Sequence, residues 1–241
     1  MEKQPIIALD FATLEEVDQF LTPFEEALFV KVGMELYLQN GPAVIERIKQ
    51  GNHKIFLDLK LHDIPTTVKK AMRGLASLGI DMINVHAAGG KRMMEEALEG
   101  LTQGSLGAPR PKLIAVTQLT STCEQMMQQE QKIALSIEDS VLHYATLARD
   151  AGLDGVVCSP LEAQKIRESL GDDFLRVTPG IRLNDRTTHD QVRVATPKNA
   201  QQLGSSAIVV GRAVTESADA VNTYKLIQKE WEDTFNEISN R

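Results

Sequence analysis

The sequence predicts a (β/α)8 barrel, the TIM-barrel class of α/β fold, formed as a single domain over residues 1–241. Three observations carry that expectation. Eight short apolar runs alternate with helical patterns along the whole chain. The repeat averages roughly 30 residues, which suits a compact barrel, about 250 residues being typical. No Gly/Ser linker, long charge block or low-complexity segment divides the chain. A doubly wound open sheet is the alternative. The first run, however, leads into Ala8-Leu9-Asp10-Phe11-Ala12 and not into a Gly-rich dinucleotide turn.

The first run, Ile6 to Leu9, ends at Asp10, and Thr13 with Glu16 has the spacing of a capping box that starts a helix. Leu28 to Val32 is the second strand. Asn40 followed by Pro42 suits a helix start, with Val44, Ile45 and Ile48 on one face. Ile55 to Leu59 is the third strand, and Asp63 with Pro65 suits the next helix start. Met82 to Val85 is followed by Met94, Ala97, Leu98 and Leu101 at helical spacing. Leu113 to Val116 is followed in the same way by Ile137, Val141, Ala145 and Ala148. Gly155 to Cys158, Phe174 to Val177 and Ala207 to Val210 complete the strands. Tyr224, Ile227 and Trp231 form the apolar stripe of a last helix. The strand runs are continuous and partly β-branched, as parallel strands buried on both faces require.

With 42% hydrophobic residues the chain can bury a sizeable core. No apolar run approaches the roughly 18 residues of a membrane span. Met1-Glu2-Lys3-Gln4-Pro5 lacks the basic and apolar regions of a signal peptide, so a cytoplasmic location is expected, with no membrane partner. The two cysteines, Cys123 and Cys158, read as ordinary thiols in a reducing compartment, and no Cys/His cluster has zinc-ligand spacing. A net charge of -7 argues against a general nucleic-acid binder but allows an anionic small molecule at a local basic site.

In a barrel, chemistry belongs at the C-terminal ends of the strands. Asp10 ends the first, Lys31 the second, and Asp58 with Lys60 the third, with Asp63 just beyond. Alternation along a strand points Asp58 and Lys60 the same way. Asn84 and His86 end the fourth strand, and Thr117, Gln118, Thr120 and Ser121 follow the fifth. Thr178-Pro179-Gly180 ends the seventh and Gly211-Arg212 the eighth. Singly, each has an ordinary account: Asp63 as a helix cap, His86 as a hydrogen-bonded structural histidine, Thr120 as a turn residue. Together they place two lysines and three aspartates around one mouth, which capping alone does not explain. Gly211 and Arg212 sit where this fold usually binds phosphate, at a helix start after the last strand. The polar stretch Pro179 to Ala195, with Arg182, Arg186, Gln191 and Arg193, reads as a lid over that phosphate.

These residues resemble the orotidine 5′-phosphate decarboxylase family, in a pattern similar to its bacterial form and running over nearly the whole chain. The resemblance rests on Ile7-Ala8-Leu9-Asp10, Val30-Lys31-Val32-Gly33, the run from Asp58 to Thr67, Asn84-Val85-His86, Thr178-Pro179-Gly180-Ile181-Arg182 and Val209-Val210-Gly211-Arg212. Asp-x-Lys-x-x-Asp alone is shared with a wider set of related barrels. Its combination with Asp10, Lys31 and the Arg212 loop is more specific.

The resemblance implies decarboxylation of orotidine 5′-monophosphate to uridine 5′-monophosphate and CO2, in pyrimidine biosynthesis, with no cofactor and no metal. It implies an alternating charge array of Lys31, Asp58, Lys60 and Asp63, with Lys60 stabilising the C6 carbanion and protonating it. Asp10 and Lys31 would meet the ribose hydroxyls and Thr120 the pyrimidine edge. Gln191, Gly211 and Arg212 would hold the phosphate, with Arg182 nearby. Asp63 and Thr67 would enter the neighbouring subunit's site in a homodimer. Two rivals remain at this stage. One is a metal-dependent phosphosugar barrel with the same Asp-x-Lys-x-x-Asp, disfavoured by the cation Lys31 where such a metal needs a carboxylate. The other is a nucleotide-binding barrel without activity, which would not need a buried charge array.

Overall fold

The computed structural model describes residues 4–183 and 194–239. Its eight strands are β1 (Ile6–Leu9), β2 (Phe29–Gly33), β3 (Lys54–Leu61), β4 (Met82–His86), β5 (Lys112–Val116), β6 (Gly155–Val157), β7 (Leu175–Thr178) and β8 (Ala207–Val210). All neighbours pair in parallel, and β8 returns to β1 through Ile6↔Val209 and Ile7↔Val210, closing the barrel. This is the expected fold class, with every strand within a few residues of its predicted run.

The helices among the described residues are α1 (Leu14–Leu21), α2 (Met34–Asn40), α3 (Ala43–Lys49), α4 (Pro65–Leu75), α5 (Gly90–Gly104), α6 (Glu124–Gln129), α7 (Ile137–Asp150), α8 (Pro160–Leu170), α9 (Pro197–Gln202), α10 (Arg212–Thr215) and α11 (Ala220–Ser239). Helix α1 starts at the expected capping box: Thr13 Oγ1 accepts from the Glu16 amide at 3.2 Å, and Glu16 Oε2 accepts from the Thr13 amide at 2.9 Å. Ser159 and Glu162 repeat that device on α8, where the sequence reading placed no cap. Asn40 departs from expectation. It ends α2 instead of starting α3, and its Nδ2 donates to the carbonyls of Leu36 and Ala12, each at 2.9 Å.

Two apolar layers follow from the strand periodicity. Ile6, Ala8, Phe29, Phe56, Met82, Ile114, Val177, Ala207 and Val209 fill the barrel interior. A larger cluster lies between strands and helices, and the predicted stripes join it: Met94, Ala97 and Leu101 from α5, and Val141, Ala145 and Ala148 from α7. Tyr224, Ile227 and Trp231 of α11 are fully buried, and the Tyr224 hydroxyl donates to the Pro5 carbonyl at 3.1 Å. The last helix is thereby docked on the first strand. No helix among the described residues is long and apolar enough to cross a membrane.

Candidate active site

Two residues beyond the interior apolar layer, the inward positions turn polar. Phe29 is followed by Lys31, Phe56 by Asp58, Met82 by Asn84, and Ala8 by Asp10. A period of two keeps each pair on the same face. The apolar layer is therefore the floor, and the charged residues stand on it at the C-terminal mouth.

Their spacing makes a continuous alternating array. Lys31 Nζ lies 3.3 Å from Asp10 Oδ1 and 3.3 Å from Asp58 Oδ2. Lys60 Nζ lies 2.7 Å from Asp58 Oδ1. Asp58 thus carries one ammonium on each carboxylate oxygen. Burial alone would push the Asp58 carboxyl up, but Lys31 and Lys60, with hydrogen bonds from Lys60 and Asn84, hold it below its ordinary value. Burial likewise works against the Lys31 ammonium, and the carboxylates of Asp58 and Asp10 outweigh it, so its pKa is raised. Sharing a site with opposite charges satisfies ions that isolation would penalise.

Strand alternation does not by itself bring Lys60 to Asp58. The β3–β4 register runs through Leu57↔Ile83 and resumes at Leu61↔Val85. Asp58, Leu59 and Lys60 therefore stand against Asn84 alone, and the strand bulges. Lys60 takes a left-handed backbone with φ +51°, a conformation that costs a side-chain-bearing residue roughly 1–2 kcal/mol. The Asn84 carboxamide receives the displaced backbone: its Oδ1 accepts from the Lys60 amide at 2.7 Å, and its Nδ2 donates to Asp58 Oδ1 at 2.6 Å. Strain of this kind concentrates at functional sites.

The array opens into a cavity of about 500 Å³, within the size range of small-ligand sites. Asp10, Lys31, Asp58, Lys60, Thr120, Arg182, Gly211 and Arg212 all line it. Six strands or their following loops thus deliver charged or polar groups into one space.

The profile of the orotidine 5′-phosphate decarboxylase / HUMPS family matches residues 3–227. The chain belongs to this family. It is 63% identical over 229 residues to the orotidine 5′-phosphate decarboxylase of Listeria monocytogenes serotype 4a (strain HCC23), covering 95% of this chain and 98% of that one. The solved structure of orotidine 5′-phosphate decarboxylase from Lactobacillus acidophilus superposes with a TM-score of 0.86 at 45% identity, over 95% of this chain and 99% of that one. An uncharacterised conserved protein from Geobacillus kaustophilus gives a TM-score of 0.84 at 53% identity, over 94% and 99% of the two chains.

Within this decarboxylase-family barrel, two of the expected site residues stand apart from the cavity. Asp63 and Thr67 are exposed and do not line it. Nor does Asp63 cap α4 by its side chain. Ile64 occupies the cap position, Pro65 starts the helix, and Asp63 Oδ1 accepts from the adjacent Ile64 amide, at 2.6 Å. Gln191, with Arg186 and Arg193, lies outside the described residues. The two stems of the expected lid are joined by an Ile181↔Ala195 bridge, with the Arg182 amide donating to the Ala195 carbonyl at 3.0 Å.

The ordinary reading of His86 holds. His86 Nδ1 accepts from the Ala88 amide at 3.2 Å and its ring stacks on His62, away from the cavity lining. Thr117 and Thr178 bond across to the carbonyls of Val157 and Ala207 and serve the barrel wall. Gln118 and Pro179, named among the strand-end residues, line the cavity, as do Phe11, Phe56, Leu119, Cys158 and Glu216, which sequence reasoning left out. Their signal was position: Phe11, Gln118, Leu119, Cys158 and Pro179 follow a strand at the mouth, Phe56 belongs to the floor of β3, and Glu216 follows α10.

Proposed function

We propose that this chain decarboxylates orotidine 5′-monophosphate to uridine 5′-monophosphate and CO2, the last step of pyrimidine nucleotide synthesis. The observation that carries this reading is the Asp10–Lys31–Asp58–Lys60 array facing the cavity that Arg212 also lines. The printed activity of the 63%-identical relative supports it.

The bond from C6 to its carboxylate breaks, CO2 leaves, and the electron pair stays on C6. No adjacent carbonyl delocalises that pair well. The Lys60 ammonium stabilises it electrostatically and then gives C6 its proton, returning to the ammonium from solvent. Preorganised charge in a site shielded from water is the strongest device of this kind. Asp58 sits by the departing carboxylate, and its repulsion falls as neutral CO2 forms. Asp10 and Lys31 take the ribose hydroxyls and Thr120 the pyrimidine edge. Gly211, Arg212 and Gln191 take the phosphate, with Arg182 nearby. Because α10 has only four residues, the phosphate relies on the guanidinium and loop amides more than on a helix dipole. No metal or organic cofactor has a step in this scheme.

Asp63 and Thr67 complete the site of the neighbouring subunit in a homodimer. Their exposure, and the adjacent Ile64 at 66% exposed, support that role. Mixing inactive Lys60→Ala with inactive Asp63→Ala would restore about a quarter of parental turnover if the subunits exchange, since half the dimers then hold one intact site of two. No recovery after exchange would refute shared sites. Cys123 and Cys158 are not joined in a disulfide, which suits a cytoplasmic enzyme, and recovery from a membrane or secreted fraction would contradict that location.

The metal-dependent phosphosugar reading belongs to the same broad family and is disfavoured by Lys31 at the end of β2. The deciding experiment is the purified chain with orotidine 5′-monophosphate in EDTA, followed by ultraviolet absorbance. Conversion to uridine 5′-monophosphate is expected; none, or conversion only with added metal, would overturn the proposal.

A further inference from the structure

Asn84 is fully buried, belongs to β4 and does not line the cavity. It would meet no substrate, yet it touches both halves of the central ion pair. The orientation of its amide is dictated by its partners. The Lys60 N–H can only donate, so it takes Oδ1; the ionised Asp58 carboxylate can only accept, so it takes Nδ2. The same Asp58 oxygen receives the Lys60 ammonium. One side chain therefore fixes where the carboxylate lies and where the left-handed Lys60 backbone leaves the strand.

We propose that Asn84 is a positioning residue for the decarboxylation, a clasp that holds the β3 bulge in the geometry that aims Lys60. This inference rests on the decarboxylase reading above. Without the Nδ2 donor the carboxylate loses one of its anchors, and without the Oδ1 acceptor a half-buried N–H loses its partner, which favours relaxation of the bulge. Small displacements of a reacting group cost about 10²-fold in rate.

Asn84→Ala is expected to lower kcat by about 10²-fold while Kd for uridine 5′-monophosphate stays within about threefold, because the clasp is remote from the ligand. Asn84→Asp separates the two arms. It keeps the shape and the acceptor for Lys60. As a carboxylate it faces Asp58 across hydrogen-bond distance, and such a pair takes up a proton more readily than a lone carboxyl. Once protonated, its O–H donates to Asp58 as the amide did. Asp58 is faced by Lys31 from β2, Lys60 from β3 and Asn84 from β4, and Lys31 by Asp10 beyond β1. His86, stacked on His62, is a nearby imidazole, held below its ordinary value by burial, then His62 and Lys60. It is common to parent and variants, so ratios of rates cancel it. The kcat of Asn84→Asp relative to parent should therefore rise as pH falls from 8 to 6, while that of Asn84→Ala stays flat.

The parent is assayed first: no turnover of orotidine 5′-monophosphate there would sink the decarboxylase reading itself. With an active parent, variants that melt cooperatively and turn over within threefold of it would overturn the clasp. So would a deficit in Asn84→Asp that ignores pH. If Asn84→Ala fails to fold, the isosteric Asn84→Asp decides alone by its pH profile.

Discussion

Asp58 and Lys31 are held in opposite directions by their mutual contact, and the consequence is that neither changes charge near neutrality. The depressed Asp58 carboxyl contributes stability above its unfolded value of about 4, lost as pH falls through the lower folded value. The raised Lys31 contributes stability below about 10.4, lost as pH rises through the higher folded value. Two histidines lie between these limits. His53, whose Nδ1 accepts from the Leu28 amide at 2.9 Å, and His86 are both lowered, His53 by burial and His86 by burial, then His62 and Lys60. Below about pH 6.5 the unfolded chain therefore binds more protons than the folded one, and stability falls on acidification. His86→Asn keeps an acceptor for the Ala88 amide but cannot take the proton. Urea melts at pH 7.5 and 5.5 should show a smaller loss for it than for the parent. An equal loss would show that His86 does not contribute to the slope.

Glycines decide how closely elements approach. Gly100 and Gly104 of α5 lie against the backbone of α4, where an added Cβ would come within 2.2 Å of the Lys69 and Arg73 carbonyls. Gly100→Ala should destabilise by about 1–3 kcal/mol in urea melts. Gly74→Ala in α4 has open space around it and should instead stabilise by about 0.5–1 kcal/mol through helix propensity. The reverse order would refute this packing account. Much at this scale was legible because period-two and helical patterns survive in single sequences. The rest was not, for physical reasons. Helix α2 leaves β2 through Gly33 with no side-chain cap bond, so no Ser, Thr or Asp marks it. Asn40 carries a helix-start residue type but spends its amide closing a helix and tying it to Ala12. Asp58 and Lys60 do converge as alternation suggests, yet through a bulge and a left-handed residue that only the β3–β4 register reveals. Asp63 and Thr67 lie away from the cavity of their own chain, so the part proposed for them rests on family resemblance.

The whole barrel brings distant segments to one mouth. Closure of β8 on β1 brings Arg212 and Asp10 to the lining of the same cavity, although they stand 202 positions apart in sequence. A chain of net charge -7 thereby gathers four cations, Lys31, Lys60, Arg182 and Arg212, on the lining of one cavity, beside Asp10, Asp58 and Glu216. What the molecule is proposed to supply is one ammonium, placed by an acidic neighbour and a strained strand, where negative charge develops. Turnover of orotidine 5′-monophosphate by Lys60→Ala in EDTA, with Kd for uridine 5′-monophosphate measured beside it, tests that claim most directly. The account predicts a kcat loss of at least about 10⁴-fold with nucleotide binding retained. Turnover near the parental rate would contradict it.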